Sequence, residues 1–256
     1  MPRYKLTIAY DGSDFHGWQH QQRPGEEPLR TVQLVVEQAV RHVVREPIIL
    51  MGASRTDSGV HARGQVAAFT SDQEIPPERI VPAINSRLPD DVQIRAAEFA
   101  SPEFDPIKDA TSKWYRYRLK HGKRGRVRPP LFNRKLVTFV QRVLDAERMQ
   151  RAAQHLVGTH DFASLSKRDH GRETTIRTIH RCSVTATSRH RLHIDVEGDG
   201  FLYNMVRIIA GTLVEIGYGK RDADDIPAIL EARDRDAAGP TLPPNGLCLM
   251  CIHYDS

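Results

Sequence analysis

The amino-acid sequence predicts an α+β fold built from two halves of similar order. Three observations carry that reading: alternating apolar and polar runs of strand length, apolar residues at helical spacing behind capping residues, and the return of this succession in the second half. A chain of 256 residues accommodates one large domain or two small ones. With 39% hydrophobic and 27% charged residues it has the composition of a globular protein, which excludes a disordered tail or a fibre.

Residues 4–10 alternate like a half-buried strand, closed by the turn residues Asp11-Gly12-Ser13. Thr31 is placed to cap a helix with Val32, Val35, Val36, Ala39, Val40 and Val43 on one side. Residues 48–51 read as a strand, as do 65–70 after a glycine-containing loop, and Pro76-Pro77-Glu78-Arg79 opens a short helix. In the second half, 112–120 form a strand with Trp114, Arg116 and Arg118 on one face and Tyr115, Tyr117 and Leu119 on the other. Residues 145–157 are helical, with Met149, Ala152, Ala153, Leu156 and Val157 at helical spacing. Two strands, 182–187 and 191–197, flank a turn; an apolar helix follows at 201–216, another helix at 222–233 and a last strand at 247–254. The boundary between the halves falls near 101–110, giving an N-terminal domain of residues 1–105 and a C-terminal one of 106–256.

No apolar stretch reaches the ~20 residues that span a bilayer. The first alternating run starts so close to Met1 that it leaves no room for the apolar region of a signal peptide. Three cysteines, an odd number, suit a reducing compartment. A cytoplasmic protein with no membrane partner is therefore expected.

Lys and Arg outnumber Asp and Glu by 37 to 32, a formal +5, but the excess is local. Residues 105–135 hold eleven Lys or Arg against two Asp, a local +9, so the rest of the chain sums to −4. A second window, 167–191, holds seven against two. One charge run alone is usually a solvated face. Two such windows with Trp114, Tyr115, Tyr117 and Phe132 in or beside them point to a polyanion, and nucleic acid is the expected partner. Lys123, Arg124 and Arg126, on an exposed loop rich in Gly, Pro and Arg, and Lys167, Arg168 and Arg172 in the second window are the candidate phosphate contacts.

The residues from Gly52 to Ala62, with Arg55, Asp57, Gly59 and His61, lie between two expected strands. Small neighbours would let a large substrate approach the backbone at Asp57. Two readings stand side by side: Asp57-Ser58-Gly59 is a tight turn whose Asp caps its own backbone, or Asp57 is a carboxylate nucleophile or base. Phosphotransfer through Asp57 is disfavoured, because no acidic residue follows two positions on to hold magnesium. Cys248 and Cys251 are three apart on a strand and point to opposite faces, with no second cysteine pair, so no metal is expected. His160-Asp161 reads as a loop hydrogen-bonding pair. No cofactor, and in particular no nucleotide cofactor, is expected.

The block around Asp57 closely resembles the catalytic loop of the tRNA pseudouridine synthase A (TruA-type) family, Gly-Arg-Thr-Asp-Ala-Gly-Val-His-Ala. The resemblance extends in the family's order through Tyr10-Asp11-Gly12-Ser13, Gly17-Trp18-Gln19, Arg30-Thr31-Val32-Gln33 and Gly64-Gln65-Val66. It continues through Lys113-Trp114-Tyr115-Arg116-Tyr117, Gly158-Thr159-His160-Asp161-Phe162 and Arg177-Thr178-Ile179 to Gly200-Phe201-Leu202-Tyr203-Asn204-Met205-Val206-Arg207 and Gly246-Leu247-Cys248-Leu249. It implies two ferredoxin-like (RRM-like) α/β subdomains with joined antiparallel sheets around a central cleft, a homodimer, and isomerisation of uridine to pseudouridine at positions 38, 39 and 40 in the anticodon stem-loop of tRNA. By position in the motifs it implies Asp57 as the catalytic carboxylate and Tyr115 stacked on the target base. Arg207 would keep Asp57 ionised, Leu247 pack against the base, and Arg55 help extract the nucleotide. Ser54 and Ser58 replace the family's usual Gly and Ala, both small. Phe104-Asp105-Pro106-Ile107-Lys108 departs from the family's Phe-His-Ala-Arg-Phe, leaving Phe104 and Lys108 as the RNA contacts of that stretch. The competing expectation is a catalytically silent RNA-binding protein of the same fold.

Overall fold

The computed structural model describes residues 1–22, 25, 27–168 and 173–255. The fold is α+β. Among the described residues it has, in chain order, β1 (Arg3–Tyr10), α1 (Val32–Val44), β2 (Met51–Gly52), β3 (His61–Thr70), α2 (Pro77–Asn85) and β4 (Val92–Ala100). Then come β5 (Ala110–His121), β6 (Thr138–Val140), α3 (Ala146–Gln154), β7 (Gly158–Asp161), β8 (Ile176–Ser188) and β9 (Arg191–Gly198), followed by α4 (Met205–Gly217), α5 (Asp225–Ala232) and β10 (Leu247–Tyr254).

The chain forms two compact units, Met1–Thr111 with Cys248–Ser256, and Ser112–Leu247. This partition differs from a single cut at 105: the last strand returns to the first unit, because Cys248 and Leu249 pair in parallel with His61 and Ala62 of β3.

In the first unit the strand order is β4-β1-β3-β10. Alternation along β1 buries Tyr4, Leu6, Ile8 and Tyr10 on one face. Thr31 caps α1, its side chain accepting from Leu34 N, and Val32, Val36, Ala39, Val40 and Val44 are buried. α2 starts at Pro77, packs on β4 and α1, and buries Ile80 and Ile84. The strand expected at 48–51 shrinks to Met51–Gly52, paired with Ala68 and Ala67. The reason is that α1 side chains serve the preceding backbone: Gln33 Nε2 donates to Leu50 O at 2.8 Å, Leu50 N donates to Glu37 Oε2 at 3.0 Å and Arg41 Nη2 donates to Ile48 O at 2.8 Å.

In the second unit the antiparallel order is β5-β9-β8-β7, with β6 parallel to β5. Tyr115, Tyr117 and Leu119 form the buried face of β5, as their alternation requires. α3 is capped by Asp145, whose side chain accepts from Arg148 N. α4 is buried at every position except Arg207, the pattern of a helix inside a core rather than on a surface. It begins at Met205, four residues later than the apolar run, because Asn204 takes a left-handed conformation (φ 62°) and ends the preceding turn.

Candidate active site and RNA-contacting residues

The segment between β2 and β3 carries Asp57 and is anchored at almost every residue. Gln65 is fully buried and clamps the backbone of Ser54: Ser54 N donates to its Oε1 at 3.2 Å and its Nε2 donates to Ser54 O at 2.6 Å. Thr56 is held from both ends, its hydroxyl sharing a 2.7 Å hydrogen bond with Tyr10 and its carbonyl accepting from Trp18 N at 3.0 Å. Val60 N donates to Asp57 O at 3.1 Å, closing the turn that the residues 57–59 predict.

Two glycines make the close approach possible. Gly17 has φ +88°, and a Cβ there would meet Thr56 O at 2.7 Å; a Cβ on Gly12 would lie 2.0 Å from Val60 O. The Ser58 departure from the family pattern adds an anchor, since its hydroxyl donates to Phe15 O at 3.1 Å. Asp57 itself is half-buried and Arg55 is exposed. The turn expected of Asp57-Ser58-Gly59 is thus made by the backbone, through Val60 N and Asp57 O, which fixes where the Asp57 main chain lies.

In the second unit Tyr115 is 6% exposed and packs edge-on against Phe201, with ring centroids 5.2 Å apart. Arg207, in the first turn of α4, donates from Nε to Leu242 O at 2.8 Å and from Nη1 to Asn204 Oδ1 at 2.7 Å. That is a fixed guanidinium, not the snorkelling side chain that an Arg on an apolar helix suggests when taken alone. The loop holding Leu242 is itself locked to α4, because Gly211 lets Pro240 O approach to where a Cβ would sit 1.8 Å away. Tyr117 lies deeper: burial pushes its hydroxyl pKa up, against the opposing pull of its hydrogen bond to Thr138 and of the Arg207 charge. Gly246 packs against its ring, directly before the buried Leu247. Gln65, Asn204 and the Leu242 carbonyl were not among the residues singled out for the site; Gln65 and Asn204 sit inside motif blocks, but their holding role depends on contacts that no motif spells out.

The candidate RNA contacts divide. Lys123, Arg124 and Arg126 are exposed and none pairs with an acid among the described residues. Arg168 is exposed but ion-paired, with Asp234 at 2.8 Å and Asp236 at 3.0 Å, so its charge is offset within the chain. Lys167 Nζ lies 5.1 Å from the Tyr203 ring centroid, and Arg172 lies outside the described residues. Phe104 is half-buried against Tyr254, ring centroids 5.2 Å apart, with Lys5 Nζ 5.4 Å over it. Asp105 turns its carboxylate onto its own backbone, accepting from Ile107 N at 2.8 Å and Lys108 N at 3.1 Å. The bond from Lys108 N, above all, holds its pKa below the ordinary aspartate value against the opposing effect of burial, with the bond from Ile107 N and the charges of Lys108 and Arg3 assisting. The acid that replaces the family's residue therefore forms a turn, and Lys108 remains exposed at its end.

Two kinds of comparison agree. A family model described as tRNA pseudouridine synthase matches residues 6–105 and 152–255. Among curated proteins, the chain is 44% identical over 256 residues to the tRNA pseudouridine synthase A of Pelobacter propionicus, which covers 99% of this chain and 100% of that one. The proteins of the same name from Acetivibrio thermocellus and Bacillus subtilis are 42% and 43% identical, each over 99% of this chain and 100% of the relative.

Proposed function

Because the chain belongs to the tRNA pseudouridine synthase family and is an isomerase that converts uridine in tRNA to pseudouridine, we propose that Asp57 is the carboxylate that performs the conversion and that the substrate region is the anticodon stem-loop, positions 38, 39 and 40. The observation that carries this reading is the end-to-end match to relatives of that name, joined to an Asp57 loop whose backbone is fixed on both sides.

The reaction balances without a second substrate. The bond from ribose C1′ to uracil N1 breaks, the ring turns, a bond forms from C1′ to C5, and the proton leaving C5 is matched by one gained at N1. One ionised carboxylate suffices, whether it attacks the ribose, attacks the pyrimidine or removes a proton. Tyr115 takes the task of stacking on the detached uracil and handling a proton, and Leu247 packs against that ring. Arg207, already oriented by Leu242 and Asn204, supplies the positive charge that keeps the carboxylate ionised. Arg55, exposed beside Asp57, helps draw the nucleotide out of its stack. Phosphate contacts from Lys123, Arg124 and Arg126 supply affinity without selecting the uridine. Work in the cytoplasm as a homodimer completes the proposal and rests on the family resemblance; no helix among the described residues is long and apolar enough to cross a membrane.

The test is to incubate the purified chain with unmodified tRNA transcripts and map pseudouridine by sequence position. Product confined to 38–40 is expected; product elsewhere in the tRNA would move the substrate region, and binding without product would make the chain a silent RNA-binding protein.

A further inference from the structure

The connection from β5 to β6 ends in two exposed side chains of an unusual kind. Leu131 is 77% exposed and Phe132 81% exposed, the latter the most exposed aromatic side chain among the described residues. They are not at the tip of a slack tail. Before them, Arg126 N and Val127 N both donate to Lys123 O, at 3.0 and 3.1 Å, and Val127 packs on Gly122, where no Cβ would fit. After them, Asn133 adopts a left-handed conformation (φ 60°) and Leu136 N donates to its carbonyl at 2.9 Å. Asn245 Nδ2 then holds the carbonyls of Arg134 and Val137, each at 3.1 Å. Between the two turns stands Pro129-Pro130, which favours an extended approach and offers no backbone donor. The loop therefore holds Leu131 and Phe132 out in water by construction.

Their surroundings are of one sign. From Lys120 to Lys135 there are seven Lys or Arg and no acid. Lys123, Arg124, Arg126, Arg128 and Arg134 are exposed and make no ion pair with a described residue. An acidic protein surface could meet such charge, but a flat aromatic ring beside guanidinium groups is matched by a strand that offers phosphates and base faces together. Two copies of this loop meeting each other would bring like charges together. The segment 106–151 also lies between the two stretches that the family model matches, so that model assigns nothing to this loop.

We propose that Leu131 and Phe132 are an RNA-docking wedge: Phe132 stacks on an unpaired base of the tRNA other than the uridine being isomerised, Leu131 covers the edge of that base, and Arg128 and Arg134 meet the flanking phosphates. The inference rests on tRNA being the substrate and assigns a contact that holds the tRNA without taking part in the chemistry.

The experiment uses the full chain with Phe132→Ala, Leu131→Ala and Phe132→Trp, and reads the tRNA dissociation constant against salt, the steady-state constants and the sedimentation of the free protein. Phe132→Ala is expected to weaken tRNA binding about tenfold, with the loss appearing in KM rather than kcat. Phe132→Trp is expected to restore it, with its added indole fluorescence quenched by tRNA. Because stacking releases no counterions, the slope of affinity against salt should not change. An affinity within twofold of wild type for Phe132→Ala overturns the proposal. So does an affinity loss accompanied by altered sedimentation, which would give the wedge to a contact between copies. Wild-type protein that makes no pseudouridine on the same tRNA defeats the functional reading instead, and the binding data still judge the wedge.

Discussion

The connection between β2 and β3 and the connection between β5 and β6 both link strands, and they are built on opposite principles. The first carries two charged residues, Arg55 and Asp57, and nearly every neighbour is tied down by buried partners: Gln65 on Ser54, Tyr10 and Trp18 on Thr56, Phe15 on Ser58 and Gly59. The second is held at its turns and at Asn245, and displays Lys123, Arg124, Arg126, Arg128 and Arg134, whose side chains carry no ion pair among the described residues. One loop is tied down around Asp57; the other leaves Lys123, Arg124, Arg126, Arg128 and Arg134 exposed. A reaction on one base within a long polyanion calls for both, since bond making tolerates displacements of well under an ångström while backbone binding is a sum of many loose terms.

Damage to the first loop should show as lost rate, and damage to the second as lost affinity. The largest effect short of the carboxylate itself is expected for Arg207→Ala, at about 10²–10³-fold in kcat, with Arg207→Lys losing less because it keeps the charge. Equal losses for the two would remove charge support from the account and leave Arg207 as a packing residue. Gly17→Ala comes next. A methyl at φ +88° facing Thr56 O must push the loop, costing about 1–2 kcal/mol of stability. A fall of at least tenfold in kcat is expected, with the tRNA dissociation constant within twofold. If calorimetry shows the stability loss while kcat is untouched, the fixed backbone does not serve catalysis.

Replacing Lys123, Arg124 and Arg126 together by Gln should leave kcat at saturating tRNA unmoved and lower the slope of log affinity against log salt by about two to three. Thermal stability should shift least of all, by less than about 0.5 kcal/mol, because these side chains hold nothing in place. A salt slope unchanged in the triple variant would make the loop a solvated surface and shift the phosphate contacts elsewhere.

The two loops also differ in how far they could be read in advance. The Asp57 turn is local, written in Asp57-Ser58-Gly59 and its family pattern, so its position and type were legible. What holds it is not local: Gln65 and Ser54 are eleven positions apart, Tyr10 and Thr56 forty-six, and no spacing rule joins them. The same limit explains Arg168, a plausible phosphate contact by its window until Asp234 and Asp236, sixty-six and sixty-eight residues on, are seen to pair with it. Among the elements, α1 was legible because Thr31 caps it and four of the six apolar positions expected on its inner side, Val32, Val36, Ala39 and Val40, are buried. β4 was not read, since Val92–Ala100 carries only two fully buried positions, Val92 and Ile94, before its alternation lapses at Ala96-Ala97. β7 is four residues long and reads Gly-Thr-His-Asp, with no apolar signal to find.

The most direct test of the division between placement and binding is a single measurement pair on Asp57→Asn, a change that keeps the shape of the side chain and removes its charge. Pseudouridine formation in a single turnover and the tRNA dissociation constant are measured on one preparation and one transcript. The account predicts a rate at least about 10³-fold below wild type with the dissociation constant within twofold. A rate above about a tenth of wild type, or a loss of binding in step with the loss of rate, would contradict it.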